Sequence, residues 1–262
     1  MSIKLNHPLP VSGLYLPAPL LNMRGVITGA TGWFGSWLRA ALDYNMMSYE
    51  TLDTRDIHRV DCDWLIHLAP GDCTDLISML EKTDVKHVLF VSSGSVYDVE
   101  PTENCIEKQR NEDLFLKSDL PVNIARCFTF TGGGVCQKPL AIGMLINACM
   151  GVIYKFAFNE NSIRTYMYMT DLVQWLATIL LADKGNIYDI GGEEEITIYE
   201  LANKISAKLN TTQIEFLHSD QPDPRPNYIP NLAPAKELGL KITVGLDEAI
   251  DKTIEWEIMN AS

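Results

Sequence analysis

Short apolar runs alternate with stretches of helical period along the first half of the chain. Gly25-Val-Ile-Thr28 reads as a buried strand that ends in Gly29-Ala-Thr-Gly32-Trp-Phe-Gly35. Apolar positions at Trp37, Leu38, Ala41 and Leu42 then mark a helix face. Tyr49–Leu52 predicts a second strand closed by Asp53, and Trp64–His67 a third, bounded by Pro70 and Gly71. A helix over Asp75–Lys82, a strong strand at His87–Val91, a helix over Cys105–Lys117 and a strand at Val122–Ala125 follow. Strands alternating with helices predict a parallel sheet covered on both faces.

The second half is more mixed. Leu140–Met150 and Asp171–Ala182 predict helices, Arg164–Met169 alternates like one strand, and Asn186–Ile190 is a strand stopped by Gly191-Gly192. Thr197 with Glu200 three residues on predicts a capped helix through Leu209. Gln221–Pro234 holds five prolines and reads as loop, and Leu246–Met259 as a last helix. Four prolines (Pro8, Pro10, Pro17, Pro19) break up residues 1–24, which read as an irregular extension packing through Leu14, Tyr15, Leu16, Leu20 and Leu21 rather than as a leader. The expected organisation is an extension at 1–24, a nucleotide-binding domain at 25–134 and a smaller lobe over most of 135–262. The chain is expected to return to the sheet around 165–190.

Composition narrows the function classes. A 262-residue chain with 47% apolar residues can build a full core. Lys and Arg number 21 against 34 Asp and Glu, a net charge of −13, which argues against a nucleic-acid binder. None of the six cysteines stands in Cys-x-x-Cys, so neither a zinc knuckle nor a redox pair is expected, and free thiols suit the cytoplasm. No apolar run approaches the roughly 20 residues of a membrane span.

Chemistry concentrates at the first strand–helix turn. Gly29 can make the tight turn, Gly32 lets a pyrophosphate approach the backbone, and Gly35 lets helix pack on strand. The helix N-terminus adds free N–H groups and positive partial charge. Three spaced glycines alone are equally a tight turn without a ligand; the strand, helix and later acid in order favour a dinucleotide. Asp53, 18 residues after Gly35, is placed to accept from both ribose hydroxyls and to repel a 2′-phosphate, although Arg55 lies close by.

Motif by motif, the chain resembles an extended short-chain dehydrogenase/reductase of the nucleotide-sugar epimerase/dehydratase branch. Thr28–Gly35 and Asp53 are joined by His67-Leu-Ala-Pro70, Val91-Ser-Ser-Gly-Ser-Val-Tyr97 and Arg126-Cys-Phe-Thr-Phe-Thr-Gly132. Arg164–Asp171, Tyr188–Gly191, Arg225 and Glu237–Leu240 complete the series. The resemblance implies a Rossmann-like doubly wound α/β sheet with a small α/β substrate lobe, NAD as cofactor, and hydride transfer on a sugar carbon. It assigns cofactor contacts to Gly29, Thr31, Gly32, Trp33, Phe34, Gly35, Asp53, Asp56, Ile57, Leu68, Ala69, Pro70, Lys108 and Phe128. Ser93, Thr129, Arg164 and Arg225 would contact substrate, with the arginines gripping a diphosphate. Ser93 and Lys108 would be catalytic, Lys108 and Glu112 belonging to the helix that carries Tyr-x-x-x-Lys-x-x-x-Glu.

Two departures stand out. Four residues before Lys108 the chain has Asn104 where the family has its catalytic tyrosine, and no tyrosine in the chain is followed four residues later by lysine. An amide cannot serve as base or acid. Ten residues between Asp53 and Trp64 barely make a crossover, so the sheet is expected to be one strand short. The helices after Pro70 and around Lys108 also read as short, which argues against the family's homodimer. Cys105, Glu107, Tyr97, Tyr166 and Tyr168 are the nearest replacements for the phenol. Glu107 is expected to face water, and His67 and Cys127 to be packed in the core. The enzyme reading therefore stands beside an alternative: an NAD-binding member that has lost the chemistry and serves as a regulatory or structural partner.

Overall fold

The computed structural model describes residues 6–54, 60–151, 159–211 and 227–261. Strands β1 (Gly25–Thr28), β2 (Tyr49–Leu52), β3 (Trp64–His67), β4 (His87–Ser93) and β5 (Val122–Cys127) alternate with helices α1 (Trp33–Tyr44), α2 (Thr74–Leu80) and α3 (Glu103–Lys117). Short strands β6 (Phe130–Thr131), β7 (Ile163–Thr165) and β8 (Met167–Tyr168) follow, with helix α4 (Ala141–Cys149) inside that stretch and α5 (Met169–Leu181) after it. The chain continues through β9 (Ile187–Ile190), β10 (Glu195–Thr197), α6 (Ile198–Leu209), β11 (Asn227–Tyr228), α7 (Ala233–Glu237) and α8 (Leu246–Ala261).

The main sheet has six strands in the order β2-β1-β3-β4-β5-β9. Every neighbouring pair in it is parallel. Strands β1 and β3 are buried along their whole length, as central parallel strands covered on both faces must be. Strand β2 forms the edge, and among the described residues no strand lies beyond it. Two smaller sheets, β10-β7-β11 and β6-β8, build the part of the fold beyond β5. Strand β9 returns to the main sheet, where Ile187–Ile190 pairs with Ile124–Cys127.

Several expectations need correction. The alternation at Arg164–Met169 is two short strands, broken at Tyr166, and α5 already begins at Met169. Strand β11 and the start of α7 lie inside the proline-rich Gln221–Pro234 stretch, whose first six residues fall outside the described ones. In the N-terminal extension Leu14, Leu16 and Leu20 are buried, but Tyr15 is 73% and Leu21 50% exposed; Leu9 and Val11 are buried instead. The segment turns at Ser12-Gly13 and winds into a 3-10 helix at Ala18–Asn22, so no single period selects its inward positions. Asn45 ties Leu14 and Leu16, and the Trp256 indole donates to the Pro8 carbonyl. Among the described residues no helix is long and apolar enough to cross a membrane.

Candidate cofactor and substrate site

Gly29 closes β1 in a left-handed conformation, φ 70°. A Cβ there would stand 2.7 Å from the Ala69 nitrogen, so the chain between β1 and α1 lies directly against the loop after β3. A Cβ on Gly35 would stand 2.5 Å from Ala30, which is why α1 can press onto its own entry turn. Gly32 caps α1 without a side-chain bond, and no acidic residue occupies the first turn. The first-turn N–H groups of Trp33, Phe34 and Gly35 therefore have no intrahelical acceptor. A cavity of about 510 Å³ opens here, lined by Gly29, Ala30, Thr31, Thr51, Leu52, Asp53, Thr54, Ala69 and Pro70.

Asp53 sits exposed at the cavity rim, just past β2. Leu68 donates its N–H to the Thr28 carbonyl and lies half-buried behind Ala69. The side chains of Trp33 and Phe34 point elsewhere. The Trp33 and Trp37 indoles both donate to the Gly133 carbonyl, at 2.7 and 3.1 Å, and Phe34 meets Phe130 edge-on at 4.4 Å. Trp33 is buried and Phe34 half-buried in these contacts. Asp56, Ile57, Arg55 and Arg225 lie outside the described residues.

The wall opposite β2 is held by a latch that spacing does not reveal. Glu107 on α3 accepts from the Gly71 N–H at 2.9 Å. Asn111, one turn on, accepts from the Cys73 N–H and donates to the Gly71 carbonyl. Glu107 is thus engaged with the loop rather than facing water. His67 completes the latch from below: Nδ1 is 2.7 Å from Thr28 Oγ1 and Nε2 is 3.3 Å from Cys73 Sγ. Burial, aided by the nearby Lys108 charge, lowers the His67 pKa to about 3, so the ring is neutral. Burial likewise pushes the Cys73 thiol up to about 12. His67 and Cys127 are packed in the interior, as expected.

Strand β4 and helix α3 meet at the chemistry expected from the motifs. Lys108 Nζ donates to the Val91 carbonyl at 3.1 Å and stands 4.9 Å from the centre of the Phe90 ring. Burial lowers its pKa, against the opposing pull of Cys73 and Glu107. Ser93 ends β4; its Oγ accepts from the Ser95 N–H and hydroxyl, which leaves its own O–H free to donate. Asn104 stands exposed in the first turn of α3, with Lys108 one turn further on. Its neighbour Cys105 is buried against Thr102 and Asp98. Tyr166 and Tyr168 are almost wholly buried with unpartnered hydroxyls, and burial raises the pKa of both.

A second cavity of about 510 Å³ lies beside Gly94, between Tyr97, Phe128, Asp189, Tyr228 and Asn231. Phe128 and Tyr228 rings are 4.6 Å apart. The Tyr97 hydroxyl donates to Asp189 and accepts from Arg126 at 2.7 Å. Arg126 in turn makes a bidentate pair with the buried Glu112, closest at 2.6 Å. The glutamate of the lysine helix is therefore a structural anchor for β5. Thr129 gives its hydroxyl to the Thr165 carbonyl. Arg164 lies behind this cavity, donating to the Ile163 carbonyl with its guanidinium 5.9 Å from the Tyr228 ring.

No family model matches the chain. A UDP-glucuronic acid decarboxylase 1 of Danio rerio is 27% identical over 139 residues, 52% of this chain and 33% of that protein. A dTDP-glucose 4,6-dehydratase of Shigella flexneri is 26% identical over 153 residues, 55% of this chain and 42% of that protein. The matched stretch thus spans less than half the length of these relatives. The UDP-glucose 4-epimerase of Thermotoga maritima, solved with UDP-glucose, superposes with a TM-score of 0.78 at 17% identity, covering 92% of this chain and 100% of that one. The Bacillus anthracis dTDP-glucose 4,6-dehydratase, solved with NAD, gives 0.77 at 17% identity over 91% and 97%. Over about half its length the chain is thus similar in sequence to a nucleotide-sugar decarboxylase and a nucleotide-sugar dehydratase, and it shares the Rossmann-like α/β fold of the epimerase and dehydratase structures.

Proposed function

We propose that the chain binds NAD across the Gly29–Gly35 turn and a nucleotide sugar in the cavity beside Gly94, as an epimerase/dehydratase-type enzyme working without the usual tyrosine. The observation that carries this reading is the cofactor cavity itself. Its floor is backbone that a Cβ at Gly29 would clash with, an unpaired helix N-terminus opens at one end, and Asp53 stands at the other. Those parts suit a pyrophosphate and an adenosine ribose respectively.

NAD, when bound, supplies the hydride acceptor. Lys108 is the group of this chain best placed to meet the nicotinamide ribose, since its ammonium is held at the end of β4. The Ser93 hydroxyl can donate to a sugar oxygen. Asn104 can hold a hydroxyl but cannot take its proton. Phe128 and Tyr228 offer flat apolar faces, and Arg164 and Arg225 are the assigned diphosphate ligands. Asn104 also favours a second reading, in which the chain binds both ligands with little turnover.

Calorimetric titration with NAD and NADP tests the first half. NAD should bind more tightly, and Asp53→Ala should weaken it by about 1–3 kcal/mol through two lost charge-assisted bonds. Equal or tighter NADP binding refutes the role of Asp53. Titration with UDP, dTDP, CDP and GDP tests the second half; failure of all four removes the nucleotide-sugar reading.

A further inference from the structure

A third cavity lies away from both sites just described. It has a volume of about 490 Å³ and opens between the N-terminal extension, the start of α5 and one face of α8. Nothing in the cofactor or sugar reading uses it. Its size falls in the range of small-molecule sites, and its walls are aromatic: Tyr15 from the extension, Tyr168 before α5 and Trp256 from α8, with Met259 beside them.

The polar groups there are unevenly satisfied. Asp171 is fully used, accepting from the Thr243 and Val244 N–H groups and the Thr243 hydroxyl. Lys252 is paired with Glu248 at 2.9 Å and lies 5.7 Å from the Tyr168 ring centre. Glu255 lines the same cavity with no ion-pair or hydrogen-bond partner among the described residues. Tyr168 is only 1% exposed, yet its hydroxyl is unpartnered, and the charges of Glu248 and Glu255 both reach it. Among the described residues the only cation in the lining is already neutralised, while a carboxylate is not.

We propose that this cavity binds a small organic cation, an amidinium or primary ammonium on an aromatic body. The cation pairs with Glu255 and the body lies between Tyr15 and Trp256. An anion of the same shape would have to pull Lys252 from Glu248 and sit beside Glu255 in a chain of net charge −13. A cation faces neither cost and adds contact with aromatic faces. The site is built partly by the extension, which Tyr44 at the end of α1 and Asn45 just after it hold through Gly13, Leu14 and Leu16. It is therefore independent of the cofactor cavity.

Ligand-detected NMR and calorimetry with benzamidine, benzyl alcohol and benzoate test this on the full chain. Benzamidine should saturate and bind at least tenfold tighter than the neutral and anionic probes, with NAD present or absent. Glu255→Gln, an exposed substitution that leaves the core alone, should weaken benzamidine at least fivefold. Tyr15→Ala should weaken all three probes together. Equal affinity for the three probes, an unchanged benzamidine affinity in Glu255→Gln, or no saturation at millimolar benzamidine would each overturn the assignment. Displacement of benzamidine by NAD would overturn its independence.

Discussion

Acid should destabilise the fold through His67. The ring ties Thr28, the last residue before the glycine turn, to Cys73 at the end of the opposite wall. It is 2% exposed and its pKa falls from 6.5 to about 3, because burial disfavours the charged form and Lys108 adds like-charge repulsion. A depressed folded pKa means that the stabilisation is complete above pH 6.5 and is lost as the pH falls toward 3. Between pH 7 and pH 5 the unfolded chain takes up the His67 proton and the folded chain does not. That costs about 2 kcal/mol, at ~1.4 kcal/mol for each pH unit below the value of a free imidazole. The loss is a large share of the roughly 5–15 kcal/mol available to a domain.

The assay is urea denaturation of wild type and His67→Gln at pH 7, 6 and 5. Glutamine can keep a hydrogen bond to Thr28 but does not titrate. The variant should start less stable and then lose about 2 kcal/mol less than wild type over this interval, the titration of every other group being common to both. Parallel losses in the two proteins would refute the buried, neutral imidazole. NAD affinity of the folded protein should not follow this titration between pH 7 and pH 5, since the folded His67 stays neutral until the pH nears 3.

Three shorter predictions concern the neighbours. Asn104→Tyr should raise turnover of nucleotide sugars above a very slow wild-type rate, with a pH profile rising as the new phenol ionises; fast wild-type turnover would show that another group already does this work. Glu107→Leu should leave the Gly71 N–H unmet, cost about 1–3 kcal/mol in denaturation and loosen NAD several-fold, whereas Glu107→Gln should recover most of both. Arg126→Leu should cost about 3–5 kcal/mol, because the Glu112 carboxylate would then be buried alone, and thermal unfolding of Arg126→Leu with Glu112→Leu should show partial recovery.

Much of the sheet was legible because its central strands obey the simplest rule. Gly25–Ile27, Trp64–Ile66 and Val88–Val91 are apolar in sequence and buried in the fold, since a central parallel strand has no wet face. The glycine turn was legible for a related reason: at Gly29 and Gly35 backbone meets backbone, and no other residue fits. Period two failed at Arg164–Met169 because alternation runs straight into the first turn of α5, where burial on several sides hides the change of period. The extension misled because hydrogen bonds to Asn45 and Trp256, not periodicity, choose which of its residues turn inward.

Helix α3 was the least legible element, and it matters most for function. Its interior-facing residues include Lys108, Asn111 and Glu112, which in sequence look like a solvated face. Lys108 is half-buried and the other two buried because a specific partner waits for each: the Val91 carbonyl, the Cys73 and Gly71 backbone, and Arg126. Polar burial of this kind depends on distant residues, so no local pattern announces it. These contacts fix the helix to the cofactor wall on one side and to β5 on the other. Asn104 takes no part in them and stands exposed at the helix start. Replacing a tyrosine there removes the proton acceptor without loosening anything that shapes the two cavities. On the proposed function, binding and chemistry are therefore separable, and Glu107→Leu and Asn104→Tyr should move them independently: the first lowers NAD affinity at any turnover, the second changes turnover at constant NAD affinity.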